Sequence, residues 1–532
     1  MFARRQKWGD RLVIFLAIAL GFTGLVASFL VRFRITDPRP QALPQDEFIQ
    51  VYFNHLEAKG VDYIEPYREI ERAGDNLEGI LIREIEAATQ SIDIAIQELN
   101  LPKVAAAIAT QQTNGINVRV MVENHYRRPW IEIDQTELFE FEDREQGKYQ
   151  EFVALADEDQ DGFLSDAEKE KHGAIAILEN ADVPILDDTA DGSKGSGLMH
   201  HKFMVVDGRK VVTGSANWTL SGIHGDFANP ETRGNINHLV VIEDSAIAAA
   251  FTEEFEEMWT GRKFGVQKLQ EPPKTFSVGN SQVTLQFSPF SSSQPWESTT
   301  NGFIGQTLSQ ANQSIKLALF VFSEQKIANM LETESSQGTK IQTLIDPSFA
   351  FRDYSDGLDM LGVNLKEKCD PFNRPWQTPI TSVGTPKLAH GDKLHHKFAV
   401  IDNRTVITGS HNWSASANNQ NDESLLVIQN PIIAAHFERE FERLYTDAFL
   451  GVPPFIAERQ KPTPANCVAA SPDGIVNLNT ASTIELETLP GIGESLAQRI
   501  IEGRPYKNLE DLDRVSGIGE KKIKNLENKV TW

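Results

Sequence analysis

The sequence contains very little cysteine: Cys369 and Cys467 are the two cysteines among 532 residues. They lie far apart in different segments and cannot build a disulfide framework, so we predict two unpaired thiols with no disulfide partner. Positive charge is also scarce, because 51 Lys and Arg residues face 75 Asp and Glu residues, for a net charge of −24. Such an acidic surface repels nucleic acid and anionic lipid at long range, so a polyanionic substrate would need a local binding arrangement.

One long apolar run lies near the N-terminus, where 20 residues from Leu12 to Val31 carry no charge. This length spans a bilayer, and the run is apolar on all sides, unlike the amphipathic helix of a soluble core. We therefore predict an uncleaved signal anchor, a transmembrane helix within residues 1–34. The basic flanks favour a cytoplasmic N-terminus, which leaves the bulk of the chain extracytoplasmic, in the periplasm or at the cell surface. Cleavage near Ala27 is the alternative, and it would make the protein secreted.

Proline-rich stretches divide the remainder into two large blocks and a small one. The predicted segments are a linker and lead-in at 35–75, a first half at 76–268, a second half at 277–451, a linker at 452–473 and a C-terminal domain at 474–532.

The two large blocks are repeats of each other. The segment Ala88–Ala95 matches Ala311–Ala318, and in both blocks the serine of this segment precedes a glycine-led strand by 24 residues. Helical and strand patterns that alternate at this pitch predict parallel crossover units in an α/β sheet.

A second matched pattern follows in each block. The first copy reads HHKFMVVD, six further residues and GSAN, and the second reads HHKFAVID, six further residues and GSHN. Alternation predicts a β-hairpin with histidine and lysine on one strand face, a turn at the aspartate, and a small Gly-Ser pair where a ligand approaches the backbone. The residues at the fixed positions are His200, Lys202, Asp207, Ser215 and Asn217 in the first copy, and His395, Lys397, Asp402, Ser410 and Asn412 in the second.

These residue types suit cleavage of a phosphodiester, which is anionic and resists attack. The lysines would hold the non-bridging oxygens, and the asparagines would donate to the developing charge. One histidine would attack phosphorus while the other protonates the leaving oxygen, which gives a phosphohistidine that water then opens. Each copy supplies half of this set, so we predict one site at the interface between the halves.

The paired motifs resemble those of the phospholipase D superfamily over roughly residues 76–450. The resemblance implies two duplicated α/β sandwich halves and catalysis by His200 and His395 with no metal or other cofactor required. It also implies that the motif lysines and asparagines bind phosphate, while Asp207 and Asp402 support the site from outside it.

The same resemblance draws attention to Glu423, since members commonly have a carboxylate there that would orient a catalytic histidine. The first copy has Asn237 at this position, with Glu231 nearby, which indicates different roles for the two histidines without saying which one attacks. The middle histidines of the motifs, His201 and His396, point to the opposite strand face, and we predict packing or surface roles for them.

The first copy carries 28 more residues than the second between the strand glycine and the motif histidine. This insertion, at about 138–180, resembles an EF-hand helix–loop–helix, with Gly162 at the sharp turn. The resemblance implies one Ca²⁺ ion, regulatory or structural, and we predict that it stiffens a lobe near the catalytic cleft. The implied ligands are Asp157, Asp159, Asp161, the Phe163 carbonyl, Ser165 through water, and Glu168.

The block at 474–532 contains two turns of one type, LPGIG and VSGIG. It resembles the tandem helix-hairpin-helix domain of competence-type DNA-binding proteins, which predicts a small all-α domain. Glycines in such a hairpin free backbone N–H groups at a helix N-terminus to contact a phosphate. The block has a net charge of −1, which leaves a protein-interaction module as the alternative. The implied DNA contacts are Gly491, Ile492, Gly493, Gly517, Ile518, Gly519, Lys521 and Lys522.

The motifs indicate a phosphodiester hydrolase without separating DNA from phospholipid. The C-terminal block favours a membrane-anchored DNA endonuclease. The alternatives are a phospholipase D that forms phosphatidic acid from phospholipid, and a calcium-responsive, non-catalytic DNA receptor, against which two intact motifs argue. Loop residues of the two copies either line the substrate groove or pack the loops; these are Arg127, Arg128 and Trp130, and Phe349, Phe351 and Arg352.

Overall fold

The computed structural model divides the chain into the units Met1–Ala42 and Leu43–Trp532, and the fold below is that of the second. The structure describes residues 41–55, 63–133, 135–141, 143–193, 197–229, 231–366, 373–462, 476–481, 486, 489, 492, 494–526 and 529–532. The predicted anchor at 1–34 and both cysteines lie outside these ranges. Within them, no helix is both long and apolar enough to cross a bilayer.

The first half is built on a seven-stranded mixed sheet with the order β1-β9-β8-β7-β4-β5-β6, and β2 and β3 form a separate pair. Its strands are β1 (Ile49–Phe53), β2 (Tyr63–Ile64), β3 (Glu71–Arg72), β4 (Ser91–Ile96), β5 (Asn117–Val122), β6 (Ile185–Asp187), β7 (Lys202–Val206), β8 (Lys210–Gly214) and β9 (His238–Glu243). Its α-helices are Leu77–Glu86, Pro102–Thr113, Gln135–Leu138, Asp143–Ala156, Asp166–His172, Ala174–Asn180, Leu220–Ile223 and Ser245–Trp259.

The second half repeats this plan in a nine-stranded sheet with the order β10-β11-β19-β17-β16-β12-β14-β15-β20, and β13 and β18 form a separate parallel pair. Its strands are β10 (Lys274–Val278), β11 (Ser281–Ser288), β12 (Ser314–Leu319), β13 (Phe322–Ser323), β14 (Lys340–Ile345), β15 (Val383–Thr385), β16 (Lys397–Ile401), β17 (Thr405–Gly409), β18 (Trp413–Ser414), β19 (Glu423–Gln429) and β20 (Phe449–Leu450). Its α-helices are Thr300–Leu308, Gln325–Ser336, Asp356–Met360, Ala415–Asn419, Pro431–Thr446 and Pro454–Ala457.

The predicted crossover units are confirmed. Strands β4 and β5 are parallel neighbours in the sheet and are connected in the sequence by the helix Pro102–Thr113. In the same way, β12 and β14 are parallel neighbours connected by Gln325–Ser336. On its other edge each first strand pairs antiparallel with the strand that carries the catalytic motif, β7 or β16. Each sheet is therefore mixed, and the motif strand lies at its centre.

Two long helices join the halves through one shared core. The helices Ser245–Trp259 and Pro431–Thr446 begin after Asp244 and Asn430, whose side chains accept from first-turn N–H groups. Their buried faces pack in a cluster that includes apolar residues of both sheets. Because burial of one large apolar side chain contributes about 1.5–3 kcal/mol, this core fixes the two halves against each other. The principal aromatic members are Phe203, Phe251, Phe255, Phe398, Phe437 and Phe441.

The predicted linkers are shorter in the structure. Strand β1 belongs to the first sheet although it falls in the predicted lead-in, and β10 begins in the proline-rich stretch before residue 277. After residue 451, Ile456 is buried in the core of the second half, and the N–H of Lys461 donates to the carbonyl of Asn364. Proline content identifies irregular backbone, but it does not reveal whether neighbouring apolar residues reach a core.

The C-terminal domain contains the helices Glu494–Glu502 and Glu520–Leu526 and the 3₁₀ turn Glu510–Arg514. The prediction of a purely helical domain is wrong in one respect, because β21 (Val476–Asn477) pairs in parallel with β22 (Val530–Thr531). This short pairing joins the two ends of the domain around its own apolar core.

Candidate active site

Both catalytic motifs form the predicted hairpin. Strands β7 and β8 pair antiparallel, as do β16 and β17. The turn residues Asp207 and Gly208 have φ values of 52° and 59°, and Asp402 and Asn403 both have 51°. Positive φ at both central positions defines a type I′ turn, whose twist matches that of the flanking strands.

The motif aspartates lie at the turn ends of these hairpins, away from the histidines. Asp207 accepts hydrogen bonds from the backbone N–H groups of Thr89, Gln90 and Ser91 at 2.7–3.1 Å. Asp402 accepts equivalent bonds from 312–314 at 2.8 Å. Against the opposing cost of burial, these donors hold the pKa of both carboxyl groups below its ordinary value. Each aspartate therefore fixes the start of a central strand and has no contact with the reacting groups.

The histidine ends of the two hairpins meet across the interface between the halves. The N–H of His200 donates to the carbonyl of Asp422 at 3.0 Å, and the N–H of His395 donates to the carbonyl of Ile236 at 3.1 Å. Each motif is thus seated on a segment of the opposite half, just before β9 or β19. This reciprocal pairing brings both copies into one site.

His200 is oriented by a carboxylate of the second half. Its Nδ1 lies 2.7 Å from Oε2 of Glu423, and both side chains are buried. Burial raises the pKa of Glu423 and lowers that of His200 well below its ordinary value; the charges of Lys202 and Lys397 lower the histidine pKa further. In this contact Nδ1–H donates to the carboxylate, which leaves Nε2 with its lone pair.

His395 occupies the symmetric position with neutral partners. Its Nδ1 lies 3.0 Å from the Ser215 carbonyl oxygen and 3.0 Å from Oδ1 of Asn237. Both atoms only accept hydrogen bonds, so Nδ1 carries the proton and Nε2 is again the free nitrogen. Burial lowers the pKa of His395 well below its ordinary value, and the charges of Lys397, Lys202 and His200 contribute in the same direction.

The two lysines lie beside the histidines in matching positions. The Nζ of Lys202 donates to the His200 carbonyl at 2.8 Å, and the Nζ of Lys397 donates to the His395 carbonyl at 2.7 Å. Both side chains are 1% exposed. Burial lowers the pKa of Lys202 to about 7 and that of Lys397 well below its ordinary value, where the charge of Lys202 adds to the effect. An anion between these ammonium groups would relieve their repulsion.

The motif asparagines have unused hydrogen-bonding capacity. The Oδ1 atoms of Asn217 and Asn412 are buried and have no partner among the described residues. Buried polar groups are nearly always paired, so an unpaired amide oxygen at both symmetric positions leaves an acceptor that a water molecule or another donor can complete.

Two further residues of each motif serve as supports. The Oγ of Ser215 donates to Oδ1 of Asn237 at 2.8 Å, the same oxygen that faces His395, while Oγ of Ser410 accepts from the N–H of Ser424 at 3.0 Å, next to Glu423. The middle histidines are fully buried and face away from the site, so the packing alternative is the right one for them. His201 lies 2.9 Å from Glu254, and His396 lies 3.1 Å from Glu440.

Three neighbours of the two histidines and lysines were not assigned as site residues from the sequence, although Asn237 was noted as the counterpart of Glu423. Asn237 supports His395, and the alignment with Glu423 carried this signal. Gln97 accepts from Lys202 at 3.2 Å, and the ring of Phe320 lies 4.8 Å from the Nζ of Lys397. Gln97 and Phe320 follow the first strand of each repeat directly, so the internal alignment marks them as well. Glu231, by contrast, is exposed and does not orient a histidine.

The predicted insertion packs beside Glu98, a buried residue near Lys202. Its first helix, Asp143–Ala156, carries Lys148, which pairs with the buried Glu98, and the charge of Glu98 acts on Lys202. Glu151 on the same helix is buried, and burial together with the charge of Glu98 raises its pKa to about 8. The insertion is therefore linked to Lys202 through the charge of Glu98.

The loop of this insertion has an oxygen-rich donor set that fits a hard cation such as Ca²⁺. Carboxylate oxygens of Asp157, Asp159 and Asp161 lie within 4.8 Å of one another. Although the N–H of Asp161 donates to it, Asp159 has a raised pKa because of the nearby charge of Asp161. Gly162 has a φ of 85° at the predicted turn. Glu168 closes the loop by accepting from the N–H groups of Glu158 and Ser165, each at 2.8 Å; Phe163 and Ser165 lie on the exposed rim.

Several predicted DNA contacts take on a structural role in the C-terminal domain. Ile492 and Ile518 are each 4% exposed, and their N–H groups donate within the turns, so neither is available to DNA. Gly517 has a φ of 97° and Gly519 lies at the start of the last helix. Lys522 donates to the Gly517 carbonyl at 3.1 Å from an accessible position. Gly491 and Gly493 and the side chain of Lys521 lie outside the described part of the chain.

The loop that follows β5 is packed and charge-neutralised. Arg127 pairs with Glu179 at 2.5 Å, and Arg128 pairs with Glu137 at 2.5 Å. Trp130 stacks on Phe152 of the insertion with ring centroids 5.7 Å apart. Loop packing is the correct alternative for this copy.

Comparison with known proteins agrees with this geometry. A family model described as "Cardiolipin synthase, PLD-like domain" matches residues 81–259 and 304–445, more than half of the chain. A model described as "Helix-hairpin-helix motif" matches residues 472–531. The chain belongs to the PLD-like family, within the phospholipase D superfamily of phosphodiesterases, and carries a C-terminal helix-hairpin-helix motif.

Individual relatives are more distant. A mitochondrial cardiolipin hydrolase of Xenopus tropicalis is 28% identical over 143 residues, which are 26% of this chain and 58% of that protein. A phospholipase D of Rickettsia prowazekii is 28% identical over 183 residues, 32% of this chain and 79% of that protein. The structure of a phosphatidylserine synthase of Haemophilus influenzae aligns with a TM-score of 0.48 and 12% identity, over 78% of this chain and 89% of that one. The chain thus spans less than two thirds of the cardiolipin hydrolase that it matches.

Proposed function

We propose that the protein is a membrane-anchored DNA endonuclease that cleaves phosphodiester bonds through a phosphohistidine. The single observation that carries the catalytic proposal is the convergence of two histidines and two lysines from the two halves in one buried site. The choice of DNA rests on the helix-hairpin-helix motif at 472–531.

In the first step, Nε2 of neutral His200 attacks phosphorus. The N–P bond forms as the bond from phosphorus to the leaving oxygen breaks, and that oxygen takes the proton from Nε2 of protonated His395. Lys202 and Lys397 hold the non-bridging oxygens, and the amides of Asn217 and Asn412 donate to them. Burial lowers the pKa of His395 in the free site, but the negative charge of the bound diester opposes this shift and favours the protonated form.

In the second step, a water molecule replaces the departed alcohol. Neutral His395 takes a proton from this water as its oxygen attacks phosphorus, and the N–P bond breaks with its electron pair returning to His200. The site is then left with the phosphate product bound, His200 neutral and His395 protonated.

The assignment of His200 as nucleophile follows from the partners of the two rings. Phosphorylation at Nε2 gives the imidazole a positive charge, which the carboxylate of Glu423 stabilises through Nδ1–H. His395 has the amide oxygen of Asn237 instead, so its protonated form is less stabilised and gives up its proton more readily. The carboxylate behind His200 therefore favours this residue as the nucleophile, and the amide behind His395 favours that residue as the general acid.

Phospholipid hydrolysis to phosphatidic acid is the second candidate. It is favoured by the names of two relatives, cardiolipin hydrolase and phospholipase D. We favour DNA because a helix-hairpin-helix module provides backbone N–H groups suited to a nucleic-acid phosphate, a role that a phospholipid substrate does not require.

We further propose that residues 1–34 anchor the enzyme with its catalytic part outside the cytoplasm. In the same proposal, Asp157, Asp159, Asp161 and Glu168 hold one Ca²⁺ ion that stiffens the insertion. Contact between Lys148 and Glu98 supports a regulatory role, because a stiffer insertion would hold the wall beside Lys202 in place.

A side-by-side assay of the full-length protein in detergent tests the choice of substrate. Single-stranded DNA, duplex DNA and phosphatidylcholine vesicles are compared with and without Ca²⁺. We expect internal cleavage of DNA at a kcat/KM at least tenfold above that for the vesicles, and activity on vesicles alone would contradict the proposal. A salt-dependent gel shift then compares the His200→Ala protein with the same variant lacking 474–532; equal affinity of the two would remove the proposed role of the C-terminal domain.

A further inference from the structure

The loop that follows β14, residues 346–353, borders a surface pocket of about 360 Å³ in the second half. This volume falls within the range of small-ligand sites, roughly 300–1,000 Å³. The residues that line it are Pro347, Ser348, Phe351, Arg352, Asp353, Phe455 and Arg459.

The pocket combines aromatic surface with an excess of positive charge. Phe455 is 56% exposed and meets Phe351 edge to face, with ring centroids 5.9 Å apart. Arg352 and Arg459 are both exposed, and neither forms an ion pair with a described residue. The one carboxylate of the lining, Asp353, pairs with Lys366 at 2.6 Å, and the charge of Arg459 also acts on it, so the three basic residues outnumber the carboxylate. The Nε of Arg352 donates to the Ser348 carbonyl at 2.9 Å, which leaves its terminal nitrogens for a ligand. An accessible ring beside two such arginines is suited to a base and its phosphate.

This positive pocket stands out against the chain's charge of −24. It also contrasts with the equivalent loop of the first half, where Arg127 and Arg128 are paired with glutamates and Trp130 is covered by the insertion. Among the described residues, the corresponding arginines therefore lack an ion pair in the second half and are paired with glutamates in the first.

The same loop is packed against the support of His395. The Oδ2 of Asp346 accepts from the N–H of Leu394 at 2.8 Å, and Oγ of Ser348 accepts from the Nζ of Lys393 at 2.9 Å. The rings of Phe349 and Phe320 meet with centroids 4.7 Å apart, and the rings of Phe320 and His395 meet with centroids 4.8 Å apart. One side of the loop thus supports the proposed general acid, and the other side forms the pocket.

We propose that this pocket is a nucleotide subsite for single-stranded nucleic acid on the leaving-group side of the scissile bond. Phe455 and Phe351 stack a base, while Arg352 and Arg459 bind the adjoining phosphate. The inference rests on the proposed nuclease function and deepens it, because it assigns recognition of the flanking strand to the second half. It also explains how an acidic protein holds a polyanion close to its active site.

Steady-state kinetics of the full-length protein test this subsite with two substrates. A single-stranded oligonucleotide can fill the pocket, whereas bis(p-nitrophenyl) phosphate has no flanking nucleotide. For Phe455→Ala and Arg459→Ala we expect the ratio of kcat/KM for the oligonucleotide to that for the small diester to fall about tenfold, through KM. Phe455→Trp keeps an aromatic ring and should retain the ratio.

Matched controls are Phe449→Ala, an aromatic residue that is 66% exposed in β20, and Arg404→Ala, an exposed arginine outside the pocket. Both should keep the wild-type ratio. A ratio within twofold of wild type in Phe455→Ala and Arg459→Ala would overturn the subsite while the nuclease function stands. An equal fall in phosphatidylcholine hydrolysis would overturn it in favour of a lipid site. A wild-type protein that cleaves the small diester but no oligonucleotide would overturn both the subsite and the nuclease function.

Discussion

The Nδ1 of His200 and Oε2 of Glu423 lie 2.7 Å apart, although 223 residues separate them in the sequence. The equivalent contact on the other side joins His395 to Asn237 at 3.0 Å. The two halves thus form a symmetric site. The two histidines differ chemically because a carboxylate lies behind one ring and an amide behind the other.

The first prediction concerns Glu423. Glu423→Gln keeps the shape but removes the charge that stabilises a phosphorylated His200, so we expect kcat to fall about a hundredfold or more. Stopped-flow or steady-state hydrolysis of bis(p-nitrophenyl) phosphate measures this. Glu47→Gln, at an exposed glutamate, is the control. A loss of less than threefold in Glu423→Gln would show that the carboxylate does not assist the reaction.

The second prediction concerns pH and Lys202. Burial lowers the pKa of Lys202 to about 7, so its ammonium group is charged below that pH and neutral above it. Anion binding should therefore weaken as pH rises through 7, with Kd for dimethyl phosphate increasing up to about tenfold per pH unit. This ligand keeps one negative charge throughout, and calorimetry from pH 6 to 8.5 follows its Kd. Lys202→Arg stays charged and should lose the step near pH 7; a wild-type Kd that does not change with pH would contradict the account.

The third prediction concerns Asp207 as a fold-supporting residue. Asp207→Ala removes the acceptor of three backbone N–H groups, so we expect the free energy of unfolding to fall by about 1–3 kcal/mol. Because its folded pKa is lowered, the wild-type carboxylate stabilises the fold above about pH 4, and this contribution is lost as pH falls through the folded pKa. Urea unfolding at pH 7 and at pH 3 measures both effects. A difference between wild type and variant that grows on acidification would contradict them.

The fourth prediction concerns calcium. Titration with Ca²⁺ should show one binding event by calorimetry and a change in the emission of Trp130, which stacks on the insertion helix through Phe152. Asp157→Ala should abolish both signals. Asp166→Asn, at an 82% exposed side chain outside the ligand positions, should retain them. Binding that survives in Asp157→Ala would exclude this loop as the site.

Much of this architecture is predictable from the internal repeat. The crossover units, the I′ hairpins and the meeting of His200 with His395 all follow from alternation and from two matched motifs. The repeat also indicates Asn237, Gln97 and Phe320, because Asn237 aligns with Glu423, and Gln97 and Phe320 both directly follow the first strand of their repeat.

Other features depend on tertiary packing that no local pattern contains. Ile456 lies in a proline-rich stretch yet enters the core of the second half. Ile492 and Ile518 look accessible in their turn motifs, but the small C-terminal domain needs them for its core. The different fates of Arg127 and Arg352 depend on the insertion, whose Glu179 pairs with Arg127 and which has no counterpart beside Arg352.

Trapping of the covalent intermediate tests the central claim most directly. Thymidine 5′-(p-nitrophenyl phosphate) has a leaving group that needs no general acid, so His395→Ala should still form the adduct but should lack the base for its hydrolysis. Intact-mass and peptide mass spectrometry after an alkaline quench should then find a nucleotidyl adduct on His200 in His395→Ala and none in His200→Ala. An adduct in both variants, or one on His395 in the His200→Ala protein, would contradict the account.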